Sequence, residues 1–333
     1  MEQKRILSGM QPTHPKLHLG NYEGALRNWV ELQEDHKLYC CVVDWHSLTT
    51  KFDDPSEIAT NSREVAKDYL AAGIDPNRSS VFIQSHVKEH AELHLLLSMV
   101  TPLGWLERVP TYKEKKQLLQ TESEPYGLLG YPVLQAADIL LYRPFGVPVG
   151  RDQAPHLEIS REIGRRFNHL YGEVFPEFKS LIPQDEARAK VPGLDADDNG
   201  ELRKMSKSYG NCIYLNETED ETAAKIMSAF TTPSKMRKTD PGIPEGCAVC
   251  QYLKLYSNDW QTQWDEDRKG ERGCVQNKRE LIEAMNEYLR PMRERRSHIA
   301  DSDIEAILKK GADEAREYAV QTMDLVRSAM GLR

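Results

Sequence analysis

The order in which short apolar segments and longer amphipathic ones follow each other constrains this chain more than any single residue. "KRILSG" reads as a short strand, "GNYEGALRNWVELQEDH" as an amphipathic helix and "LYCCVVDWHSLT" as a buried strand. "DPSEIATNSREVAKDYLAAG" then reads as a helix capped by Asp54 and closed by a glycine, and "SSVFIQS" as another strand. Strands alternating with helices of this length require crossover connections. The expected fold is therefore α/β with a doubly wound, mainly parallel sheet, whose ligands bind outside the carboxyl ends of the strands. Between Lys88 and Tyr142 the pattern is helical, "VPVG" adds a short strand, and "DQAPHLEISREIGRRFN" a helix from Asp152.

From about Asp195 the character changes. "DADDNGELRKMSKSYGN" is polar, charged and glycine-containing, the composition of a mobile surface loop, and after Glu219 the pattern is almost wholly helical. The expected division is a catalytic domain over 1–195, a loop and connection over 196–218, and a helical domain over 219–333 whose last helices can pack back on the first domain. Of the 333 residues, 39% are hydrophobic and 29% charged, which suits a soluble globular protein. No apolar run approaches the roughly 18 residues of a membrane span, and "MEQKRILSGM" lacks the apolar core of a signal peptide, so a cytoplasmic protein is expected. The net charge of −8 argues against a protein that coats DNA or RNA unspecifically, while leaving room for a local basic face.

Two short stretches carry chemistry. In "PKLHLGNYEGALRNW" a histidine and a glycine stand where a strand gives way to a helix. Gly20 permits close backbone approach, helix-start N–H groups are unpaired, and His18 adds a donor, which together suit a phosphate. Alone this pair is more often structural. Its partner is Lys204-Met205-Ser206-Lys207-Ser208, two lysines in a loop that can close on a polyphosphate and neutralise charge on departing pyrophosphate. A third feature is the stripe of Tyr131, Gln135 and Asp138 at i, i+4 and i+7 on one helix face of "GYPVLQAADILL". Such a stripe either binds a ligand or satisfies buried backbone or an arginine.

"HLGN" with "KMSKS" resembles the signature pair of the class I aminoacyl-tRNA synthetases. With "CVVDWHSLT" and "GYPVLQAADILLYRPFGVPVGRDQAPHLEISREIGRRFN" the chain is similar, over nearly its whole length, to the bacterial-type tryptophanyl-tRNA synthetases. Asn21 stands where many class I members carry a second histidine, and that subfamily shares the asparagine. The resemblance implies a Rossmann-like catalytic domain and an anticodon-binding helical domain. It implies ATP with Mg2+, L-tryptophan and tRNA(Trp) as ligands, and a homodimer. It places His18, Asn21, Lys204, Lys207 and Lys115 at the phosphates. Gln11 would lie near the α-phosphate, Gly20 would admit the nucleotide, Asp152 would meet ribose, and Val191 and Met205 would bracket adenine. Asp138 would accept the indole N–H, and Tyr131, Gln135 and Gln153 would bind the ammonium. Leu7, His46, Val147 and Val149 would form the pocket walls, although each suits plain core packing equally well.

Some relatives hold an iron–sulfur cluster on four cysteines. Here Cys247, Cys250 and Cys274 are present, but Asp267 and Asn277 occupy positions that would complete the set, so no cluster is expected. Arg290, Arg293 and Arg296 would face tRNA, and Lys235, Arg237 and Lys238 add charge nearby. Two other functions share much of this pattern: a tyrosyl-tRNA synthetase, and a paralogue that binds tryptophan and ATP as a regulator.

Overall fold

"LYCCVV" leaves no polar position for a wet face, and the strand it forms is buried from its second residue to its last. The computed structural model describes residues 3–109, 112, 125–150, 154–183, 185, 190–232 and 234–332. The chain divides into two units: Met1–Pro15, Asn28–Pro183 and Ile299–Arg333 form the first, and Lys16–Arg27 with Gln184–His298 the second.

The first unit is built on a parallel sheet of β1 (Arg5–Met10), β2 (Lys37–Val42), β3 (Ser80–Ile83), β4 (Gly146–Pro148) and β5 (Lys179–Leu181), in the order β3-β2-β1-β4-β5. β1 pairs with β2 from Arg5–Lys37 to Met10–Val42, and with β4 at Ile6–Gly146. Chain order reverses between β1 and β4, so their carboxyl ends flank the crevice where such sheets bind ligands. Helices Glu89–Ser98, Tyr126–Leu141 and Ala154–Tyr171 pack in this unit, and Leu7, Phe82, Leu93, Val133, Leu140 and Leu157 belong to its core.

Three local expectations are corrected. "DWHSLT" does not continue β2: the strand ends at Val42 and helix Asp44–Lys51 follows, because Asp44 Oδ1 accepts the Trp45 N–H at 3.0 Å and the Ser85 N–H at 3.1 Å. The boundary falls where the apolar run gives way to Asp44. Asp54 does not cap the next helix. It closes a turn by accepting from Ser56 N at 3.3 Å and Ser56 Oγ at 2.6 Å, and helix Ile58–Ala72 begins later without a side-chain cap. Gly73 ends that helix at φ +118°. In the second unit the loop before "KMSKS" is an antiparallel hairpin of β6 (Pro192–Ala196) and β7 (Leu202–Lys204). Its turn is fixed by Asp197 Oδ1, which accepts the N–H groups of Asn199 and Glu201, both at 2.9 Å.

The second unit otherwise consists largely of helices Glu219–Ser228, Ala248–Tyr256, Trp260–Lys269 and Cys274–Ser297. The last helix, Asp301–Ala329, belongs to the first unit and packs on β3. Its Ala312, Ala315, Ala319 and Met323 enter the core, and Glu314 accepts from Lys37 Nζ at 3.0 Å and Ser80 Oγ at 2.6 Å. Gly311 makes the close approach possible, since a Cβ there would lie 2.0 Å from the Val81 carbonyl oxygen. Gly311→Ala is expected to destabilise the first unit by about 1–3 kcal/mol, the usual range for overpacking a closed interface. Calorimetry should show a transition lowered by several degrees, and an unchanged midpoint contradicts this docking.

Candidate active site

Asp138 lies on the buried side of helix Tyr126–Leu141 and is 5% exposed. Three side chains from separate segments donate to it. Gln84 Nε2 lies 2.7 and 2.8 Å from its two oxygens, His90 Nδ1 donates to Oδ1 at 2.7 Å, and His46 Nε2 to Oδ2 at 2.9 Å. His90 Nε2 lies 2.9 Å from the Tyr142 hydroxyl. Burial pushes the Asp138 carboxyl upward, yet the charge of His90 and the hydrogen bonds from His46 and His90 outweigh it and hold the group well below the usual carboxylate range. Gln84 follows β3, His46 stands on the helix after β2, Gln11 follows β1, and Val147 and Val149 lie on and just beyond β4. The residues around Asp138 thus gather at the carboxyl ends of parallel strands.

On the same helix Tyr131 is buried, with its ring 6.0 Å from that of His156, and Gln135 is half-buried. Leu7, His46 and Val147 are buried, Val149 packs against the core, and Gln11 is half-buried. This set offers apolar walls, a carboxylate and neutral polar groups, the makings of a site for an amphipathic aromatic substrate. Gln84, His90 and Tyr142 were not anticipated from the sequence. A polar residue directly after the buried run "SVFI" was the available signal for Gln84; no comparable signal marks the other two.

The second unit brings the two signature stretches together. His18 caps helix Leu19–Asn21: its Nδ1 accepts the Asn21 N–H at 3.2 Å, while Asn21 Oδ1 accepts the His18 N–H at 3.1 Å. This reciprocal box explains an asparagine there physically, and in the neutral ring it leaves the proton on Nε2. The Leu19 N–H donates to Ile213 O at 2.8 Å, and the Leu215 N–H to Leu17 O at 2.9 Å, so the start of the first motif pairs with the segment after the second. At their meeting point the Gly20 N–H lies 3.3 Å from Met205 Sδ, and a Cβ on Gly20 would stand 3.1 Å from His18 Nδ1. Asn211, another unanticipated residue, holds the lysine-bearing turn by accepting the Ser206 N–H at 2.8 Å and donating to Lys204 O at 3.1 Å. Lys204 is exposed, Lys207 is half-buried, and Val191 and Met205 are buried. Lys115, Asp152 and Gln153 lie outside the described residues.

Around the cysteines, Asp267 and Asn277 have taken up a different bonding pattern. Lys235 Nζ lies 3.2 Å from Asp267 Oδ1, both side chains being almost fully buried, and Asn277 Nδ2 donates to the same oxygen at 2.9 Å. A hydrogen bond between the Cys247 and Cys250 thiols lowers the first and raises the second. Among the arginines, Arg290 Nε pairs with Glu219 at 2.9 Å. Arg293 donates to Thr222 Oγ1 at 2.6 Å and Asn286 Oδ1 at 3.0 Å, so it braces the helix Glu219–Ser228. Arg296 is half-buried.

A parallel sheet of this order, with paired lysine and histidine motifs, is the architecture of a class I synthetase. Residues 1–316 match the family profile of class I tRNA synthetases for tryptophan and tyrosine, and the chain belongs to that family. It is 45% identical to a tryptophan–tRNA ligase of Thermotoga maritima, over 98% of this chain and 99% of that one. It is 42% identical to the tryptophan–tRNA ligase of Aquifex aeolicus over 98% and 100%. The crystal structure of tryptophanyl-tRNA synthetase from Campylobacter jejuni, complexed with ADP and tryptophan, superposes with a TM-score of 0.86 at 35% identity and covers 98% of this chain and 99% of that one. Within the family the chain falls with the bacterial-type tryptophanyl-tRNA synthetases, and it is a tryptophan–tRNA ligase.

The Asp138 cluster has a pH signature. Its folded carboxyl lies below the unfolded value of about 3.9, so the network's contribution is fully present above about pH 4 and is lost as pH falls further. Asp138→Asn should lower stability at neutral pH by on the order of 2–3 kcal/mol. Denaturation of both proteins at about pH 7 and about pH 3 checks this: the gap should shrink at the lower pH, and a constant gap contradicts a charged Asp138.

Proposed function

We propose the following division of labour for the reaction. A carboxylate oxygen of tryptophan bonds to the α-phosphorus of ATP, the bond from that phosphorus to the bridging oxygen breaks, and pyrophosphate leaves. The terminal ribose hydroxyl of tRNA(Trp) then attacks the activated carbonyl, loses its proton and releases AMP. Neither step needs a covalent intermediate on the protein; orientation and charge stabilisation suffice.

His18 and Asn21 contact the phosphates, Gly20 admits the nucleotide, and Gln11 lies near the reacting phosphorus. Lys204 and Lys207 neutralise the leaving pyrophosphate, joined by Lys115. Asp152 holds ribose, and Val191 and Met205 bracket adenine. In the amino-acid pocket Asp138 accepts the indole N–H, which takes up one of the two hydrogen bonds now shared by Gln84. Tyr131, Gln135 and Gln153 bind the ammonium between the walls of Leu7, His46, Val147 and Val149. Mg2+ arrives on the ATP phosphates, whose oxygens suit a hard cation, while the histidine and lysines of the two motifs bind phosphate rather than metal. The region 219–298 recognises the anticodon arm, with Arg290, Arg293 and Arg296 toward tRNA. The protein works as a cytoplasmic homodimer. An iron–sulfur cluster has no part, since Lys235 and Asn277 already engage Asp267.

Backbone pairing of Leu17–Leu19 with Ile213–Leu215, which sets Gly20 beside Met205, carries this assignment. A regulator that only bound ATP and tryptophan would not need lysines aimed at departing pyrophosphate. Lys207→Ala should leave ATP affinity nearly unchanged and slow adenylate formation by roughly two to three powers of ten, because its charge matters most as pyrophosphate leaves. Single-turnover kinetics decide the matter: an unchanged rate removes Lys207 from the reaction, and equal losses in affinity and rate make it a simple binding lysine.

A further inference from the structure

Directly after the His18–Asn21 box the chain adopts a five-residue π-helical stretch, Tyr22–Leu26. Such widened turns are rare and occur frequently at functional sites. Glu23 within it has a side chain with no exposure to solvent, and one oxygen, Oε1, accepts from both Tyr256 Oη at 3.0 Å and Tyr288 Oη at 2.7 Å. Arg27 Nη1 stands 3.5 Å from Oε2. Burial raises both tyrosines above their ordinary range and keeps them protonated donors.

The two tyrosines continue into a file of rings. Tyr288 lies 4.7 Å from Tyr256 and edge-on to Tyr22 at 6.2 Å, and Tyr252, one helical turn from Tyr256, stacks 6.3 Å away. The Tyr252 hydroxyl donates to the carbonyl of Pro192, the first residue of β6. One end of the file therefore holds the segment that follows His18 and Asn21, and the other holds the hairpin that ends at Lys204. A carboxylate buried without solvent is costly unless its hydrogen bonds are met, and apolar packing would hold helices together without that cost. What the charged, directional arrangement adds is a fixed distance.

We propose that Glu23, with Tyr288, Tyr256 and Tyr252, is a positioning relay that fixes the spacing between the His18–Asn21 turn and the Lys204–Lys207 hairpin, the spacing on which adenylate formation depends. The relay touches neither substrate. It rests on the assignment of those two motifs to ATP and pyrophosphate, and it adds residues that the motifs themselves do not contain. Its effect falls on the rate of activation and not on tryptophan binding, because the Asp138 pocket belongs to the other unit.

The test is tryptophan-dependent pyrophosphate exchange on the full chain, with tryptophan affinity measured alongside by calorimetry, for Glu23→Ala, Glu23→Gln and Tyr288→Phe. Glutamine keeps an oxygen able to accept both hydroxyls. Glu23→Ala should lower kcat by about tenfold or more with tryptophan Kd within about twofold, Tyr288→Phe should lower it by about three- to tenfold, and Glu23→Gln should stay within about threefold of the parent. An unchanged kcat in Glu23→Ala overturns the proposal, as does a glutamine variant no better than alanine, or parallel loss of tryptophan binding. Should Glu23→Ala not fold, Tyr288→Phe decides: a normal kcat rejects the relay. Absence of exchange in the parent, or indifference to Lys207→Ala, would instead overturn the assignment of the motifs, so the two failures are told apart.

Discussion

One buried carboxylate organises the first unit. Asp138 is withdrawn from water and remains ionised because the charge of His90 and the hydrogen bonds from His46 and His90 outweigh the cost of burial, while Gln84 donates alongside them. Each donor comes from a different part of the sheet edge, so satisfying this one group fixes the end of β3, the helix after β2 and helix Glu89–Ser98 relative to each other. A partly satisfied network would be worse than an apolar core. In the function proposed above, this bonding would hold the carboxylate in place where an indole N–H requires an acceptor.

The second unit solves a different problem. The phosphate chemistry proposed for it needs positive groups on separate segments to meet at one place, and like charges repel as they approach. Here the backbone performs the gathering. Hydrogen bonds between Leu17–Leu19 and Ile213–Leu215 bring the motifs together before any lysine is involved, and Asn211 shapes the lysine-bearing turn. The reciprocal cap between His18 and Asn21 serves the same end, because it fixes the histidine ring by a local hydrogen bond.

Much of this was legible in the sequence, for identifiable reasons. Strand and helix alternation indicated the parallel sheet, and the i, i+4, i+7 stripe put Tyr131, Gln135 and Asp138 on one face. Both signals are local and periodic. The partners of Asp138 were not legible, because Gln84 lies 54 residues away and His90 lies 48, and only the strand order brings them to it. The helix at Asp44 was missed since it is only eight residues long and follows the strand almost at once, and the β6–β7 hairpin since its strands are short and its turn is acidic. The His18–Asn21 cap was readable in principle from its three-residue spacing. The role of Glu23 was not, as one glutamate on an amphipathic helix gives no sign that two distant tyrosines will close over it.

The most direct test of the account concerns Asp138 as the source of substrate preference. The ratio of kcat/KM for tryptophan to that for an analogue with sulfur in place of the indole nitrogen should be compared in the parent and in Asp138→Asn. Asparagine nearly preserves shape, so a cavity cannot explain a loss, while the charged acceptor is gone. Tryptophan activation should fall by about tenfold or more, and tryptophan should lose most of its advantage over the analogue. If both substrates fall equally, Asp138 only holds the pocket together, and the claim that its carboxylate reads the indole N–H is wrong.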